Sequence, residues 1–98
     1  MSNPSTSSGL LSSDSVVSNM PGRLHCVTVL TDGANAATVV VYDNASAASG
    51  TVLAKIIVAA ADRSAVFSPH DEGIVVNNGI YLDITGTGAE AIVHFNKG

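Results

Sequence analysis

Runs of β-branched residues, each closed by a Gly-, Asn- or Asp-bearing turn, recur from Pro21-Gly22 onward, and no stretch carries the apolar period of an amphipathic helix. Turn signals at intervals of about 8–12 residues restrict the chain to a β-sandwich or a small barrel. The expected strands are Leu24–Leu30, Ala37–Tyr42, Thr51–Val58, Ala65–Ser68, Ile74–Val76, Ile80–Ile84 and Ala89–Phe95. Asp32-Gly33, the small-residue stretch Asp43–Gly50, Pro69, Asn77-Asn78-Gly79 and Thr85-Gly86-Thr87-Gly88 punctuate them. Ala59–Ala61 would also suit a helix, but β-branched Thr51, Val52, Ile56, Ile57 and Val58 make the preceding run a strand.

Asn77-Asn78-Gly79 is the sharpest local signal. Asn-Gly accepts the positive φ of tight two-residue turns, so it predicts a hairpin between Ile74–Val76 and Ile80–Ile84. Alternation places Ile80, Leu82 and Ile84 on one face and Tyr81, Asp83 and Thr85 on the other. In the last strand Ala89, Ala91, Val93 and Phe95 share a face opposite Glu90, Ile92 and His94. Val39, Val40 and Val41 cannot all point inward, so that strand is central or its outer face meets another subunit. The expected fold is all-β, a small antiparallel β-sandwich of jelly-roll-like form with an extended N-terminal arm. The arm is residues 1–21 and the sandwich residues 22–98.

The leading segment differs from the rest. Eight serines lie between Met1 and Asn19, and Asp14 is the one charge before Arg23. Such sequence cannot bury enough to order itself unaided. Two apolar pairs, Leu10-Leu11 and Val16-Val17, are the expected anchors by which the arm binds a partner. On that reading, deleting Ser2–Asn19 leaves the sandwich folded and weakens only its attachment.

Charged residues make up 12% of the chain, against about 25% in an average globular domain. A small free domain is mostly surface, so so few charges point to a surface partly covered by partners. With a net charge of −4 and only Arg23, Lys55, Arg63 and Lys97 as basic residues, scattered along the chain, no run exists to neutralise phosphates, and nucleic acid is not an expected partner. The lone Cys26 can form no intrachain disulfide and is expected to be a small buried hydrophobe. The start carries no basic and apolar signal pattern, and no apolar run approaches the ~20 residues of a membrane-spanning helix. No membrane partner is expected, and synthesis in a cytoplasm is.

Catalytic patterns are weak. His70-Asp71-Glu72 is a titratable cluster on a turn, but sequence neighbours seldom converge on one atom. His25 and His94, on the first and last strands of the sandwich, would need to meet Asp83 to hold a metal; surface or interface histidines are the commoner outcome. Asp32, Asp43 and Asp71 stand in turns, where Asp serves local hydrogen bonds. Gly86-Thr87-Gly88 lacks the third glycine and the strand-to-helix setting of a dinucleotide site. The expectation is a non-enzyme with no cofactor and no metal.

Gly22-Arg23-Leu24-His25, Val39-Val40-Val41-Tyr42-Asp43-Asn44, Ser49-Gly50-Thr51-Val52-Leu53 and the stretch Asn78–Thr87, reading Asn-Gly-Ile-Tyr-Leu-Asp-Ile-Thr-Gly-Thr, together resemble small tailed-phage virion proteins over residues 22–95. The resemblance implies a capsid decoration (cement) protein that binds the major capsid protein shell from outside and bridges neighbouring capsomers. It also implies a virion location, self-association with a trimer favoured over a dimer, and no catalytic residues. A head–tail adaptor, a tail or fibre-base protein and a carbohydrate-binding adsorption module are the alternatives.

Overall fold

The computed structural model describes residues 6–69 and 73–97. They form β1 (Thr6–Leu11), β2 (Ser15–Ser18), β3 (Gly22–Leu30), β4 (Ala37–Asp43), β5 (Thr51–Val58), a 3-10 turn (Ala60–Asp62), β6 (Ser64–Phe67), β7 (Ile74–Val76), β8 (Ile80–Thr85) and β9 (Glu90–Lys97). One sheet has the order β1-β9-β3-β6 with β7 also on β3; the other has the order β2-β8-β4-β5. All pairings are antiparallel.

These orders describe one long antiparallel ribbon rolled on itself. Its rungs are β1 with β9, β2 with β8, β3 with β6 and β7, and β4 with β5, and successive rungs fall in alternate sheets. That is the jelly-roll arrangement of a two-sheet sandwich. β6 and β7 are two halves of a single lane, β6 against Val27–Leu30 and β7 against Gly22–Leu24. The His70-Asp71-Glu72 cluster between them lies outside the described residues.

The core forms where the two inner faces meet. Leu24, Val27, Val29, Val39, Val41, Ile80, Leu82, Ala91, Val93 and Phe95 are buried in it. Each buried Val, Leu or Ile contributes about 1.5–3 kcal/mol, so a core with few aromatics needs many such residues. The alternations expected for Ile80–Leu82 and Ala89–Phe95 are those of the structure, whereas bulges in β3 and β5 break simple parity there. The ladder between β3 and β9 shifts register between Leu24 and Cys26, leaving His25 as the extra residue. Leu24 thus points inward with Phe95, while Cys26 sits beside His94 on the outer face and is only half-buried. Cys26 was expected in the core; the bulge turns it out. In β5, Leu53 is the extra residue opposite the Val41–Tyr42 step, and both Leu53 and Ala54 pack inward.

The expected hairpin at Asn77–Gly79 is a crossover between sheets, because β7 belongs to one sheet and β8 to the other. Gly79 does not use a positive φ. Its role is the absence of a side chain: a Cβ would stand 2.5 Å from the Ser18 carbonyl oxygen and 2.8 Å from the Ala45 Cα. The buried Asp43 carboxylate closes the crossover by accepting from the Asn77 and Asn78 N–H groups, and the Asn44 N–H donates to the Gly79 carbonyl at 3.1 Å.

Residues 6–18, expected to belong to an arm laid on a neighbour, instead give each sheet its end strand. β1 pairs with β9, and β2 pairs with β8. The Ser-rich segment gains its order from the open edges of its own sandwich, where backbone pairing needs few apolar side chains. Ser8 supports a bulge in β1 by accepting the Val93 N–H on its hydroxyl at 2.9 Å. Asp14, between β1 and β2, accepts the Ile84 N–H at 2.8 Å and ties the passage between sheets to β8.

Candidate interaction surface

Each sheet turns one face to the core and one outward, and the ladder register sets which outward side chains adjoin. On the β1-β9-β3-β6 sheet, Leu10 is opposite Ile92, Ile92 opposite Thr28, and Thr28 opposite Val66. This row crosses β1, β9, β3 and β6. Its ends are open, with Leu10 56% and Val66 61% exposed. Leu30 and Cys26 flank the row on β3, and exposed Val75 lies further along the β6–β7 lane.

A second row crosses the other sheet. Val16 is opposite Tyr81, Tyr81 opposite Tyr42, and Tyr42 opposite Val52. Both tyrosines of the chain are therefore neighbours, with an exposed valine on each side. The next row is Asp83, Val40 and Lys55, and the one beyond is Thr85, Thr38 and Ile57. Ile57 is 68% exposed.

The four residues named as anchors separate two and two. Leu11 and Val17 pack against the core, while Leu10 and Val16 stay exposed at the ends of the two rows. Adjacent strand residues point to opposite faces, so a pair such as Leu10-Leu11 cannot serve one surface. Nothing along the sequence marks Val52, Ile57 or Val66 as surface residues. The outward alternation of Tyr81 was visible along its strand; its neighbour Tyr42 lies 39 positions earlier and meets it only through the register.

Few charges interrupt these faces. Asp83 and Asp14 form a carboxylate pair on the rim of the tyrosine-bearing face. Burial, and then the Asp14 charge, hold the Asp83 carboxyl above the ordinary carboxylate range. Asp32, in the β3–β4 connection, is held below that range by the Ala34 and Asn35 N–H groups and by the Asn35 side-chain amide.

His25, His94 and Asp83 do not converge: His94 lies across from Cys26, and Asp83 is on the other sheet. Among the described residues no group of three His, Cys, Asp or Glu side chains is placed to hold a metal ion. No helix among them is long and apolar enough to cross a membrane. No protein-family model, curated protein or solved structure matches the chain.

Proposed function

We propose that this chain is a non-catalytic structural protein of a tailed-phage virion, of the capsid decoration type. It attaches to the outer surface of the major capsid protein shell and bridges neighbouring capsomers as a homo-oligomer. The observation that carries the reading is the uncharged, mainly aliphatic row Leu10–Ile92–Thr28–Val66, which runs across β1, β9, β3 and β6 in a chain so poor in charge. Such a band is costly to leave in water and suits a broad, shallow contact with another protein. Shell binding works through many modest contacts multiplied over copies, not through one deep site. The jelly-roll arrangement recurs in viral capsid domains, although fold alone assigns no function. The phage resemblance of residues 22–95 supplies the choice of partner.

The test is addition of the purified chain to expanded capsids lacking decoration. Binding at a fixed ratio to coat subunits over the whole shell, lost in Val66→Lys and in Leu10→Lys, is the expected outcome. Binding confined to the portal vertex would instead make the chain an adaptor, and no binding to any capsid form would remove the reading.

A further inference from the structure

We infer that the outer face of the β2-β8-β4-β5 sheet is the docking surface for a second copy of this chain, related to the first by a two-fold axis along β4. The inference rests on the reading above, that the outer faces are covered by protein, and names the partner for one of them.

The face is self-complementary. Asp83 on β8 and Lys55 on β5 occupy one cross-strand row, with Val40 of β4 between them. The register sets them two strand widths apart, about 10 Å, on opposite sides of β4. A second copy laid face to face and turned about an axis along β4 brings its β5 over β8 of the first, and its β8 over β5. Lys55 of each copy then meets Asp83 of the other, and Val40 meets Val40. Such reciprocal contacts define an isologous interface. The same rotation sets Tyr81 against Val52 and Tyr42 against its own copy. Tyrosine suits such a surface, since it adds apolar area while keeping a polar tip. The acidic side has its own reason to accept an ammonium: Asp14 and Asp83 repel each other there, and Lys55 from the partner relieves both. Packed sheets cross at roughly −30°, and residues one strand from the axis stay within reach at that angle.

Sedimentation equilibrium and native mass spectrometry of the isolated chain over a concentration series test this without any capsid. The expected species is a dimer. Lys55→Asp alone and Asp83→Lys alone each turn two attractive pairs into two repulsive ones, and each is expected to weaken association by roughly a hundredfold or more. An equal mixture of the two variants is the decisive sample. In a mixed pair both contacts are again between opposite charges, so a heterodimer is expected where neither variant dimerises alone. A monomeric wild type, a trimer, or a mixture that stays monomeric while both variants keep the wild-type melting transition would each overturn the inference. Should either reversal fail to fold, Val40→Lys replaces it: the residue lies on the axis, so its ammonium meets its own copy, and an undiminished dimer would equally overturn the inference. A monomer that binds a glycan array through Tyr42 and Tyr81 would reassign the face to sugar. Loss of capsid attachment with the heterodimer result intact would remove the virion reading and leave the dimer.

Discussion

The Asp43 carboxylate holds the Asn78 amide: Oδ1 accepts the Asn78 N–H at 2.8 Å across 35 positions of sequence. Both of its oxygens also lie 3.2 Å from the Asn77 nitrogen. Asp43 ends β4 in one sheet, and Asn77 and Asn78 follow β7 in the other. A buried carboxyl group thus closes the crossover between them. Asp43→Ala leaves those amides without their acceptor, which costs about 2–4 kcal/mol. Thermal unfolding should show a drop of roughly 10 °C or more for a domain of this size. Asp43→Asn retains one acceptor and should fall by less.

Gly79 offers a separate probe of the same crossover. Its φ is not in the positive region, so the penalty of Gly79→Ala is steric, from the Ser18 carbonyl and the Ala45 backbone. Both obstacles are main chain and cannot rotate away. Urea titration should give a loss of about 2–3 kcal/mol, whereas a positive-φ glycine with open space around it, such as Gly9, should lose less on the same change.

Leu10 and Leu11 should respond unequally to truncation. Leu11→Ala removes packing against the core and should cost about 2 kcal/mol. Leu10→Ala touches an exposed side chain and should stay within ~0.5 kcal/mol. Equal losses from the two would mean that β1 is not seated in the register described. Deleting residues 2–19 strips one end strand from each sheet, so the melting temperature should fall by roughly 10 °C or more. Strand pairing thereby reverses the expectation, drawn from the serine-rich composition, that the truncated sandwich stays intact.

The acid limb of stability has two opposing contributions. The Asp83 carboxyl titrates higher in the folded chain than in the unfolded one, so the folded state holds that proton more tightly. Its contribution is therefore most favourable below the unfolded pKa and is lost as pH rises through the raised folded value. Asp32 is held low, so its contribution is present above the unfolded pKa and is lost as pH falls through the lowered folded value. Asp83→Asn, in dilute solution where the chain is monomeric, should raise the neutral-pH melting temperature slightly. The same substitution should remove the stabilising contribution that Asp83 makes on mild acidification. A melting temperature for Asp83→Asn that falls at neutral pH would mean that Asp83 is held by an attraction and not strained by Asp14.

Alternation along single strands was legible from the residues alone. Ala89, Ala91, Val93 and Phe95 are inward, as are Ile80 and Leu82, because the pleat is a property of neighbouring backbone units and holds whatever the strand pairs with. Tertiary structure decided which strand lies beside which. The loop-closure cost depends only weakly on length, so a turn such as Asn77–Gly79 suits a hairpin or a crossover, and burial on both inner faces selects the latter. Only that long-range pairing set Val16, Tyr81, Tyr42 and Val52 in one row, turned Cys26 outward through the His25 bulge, and drew the serine-rich beginning of the chain into both sheets.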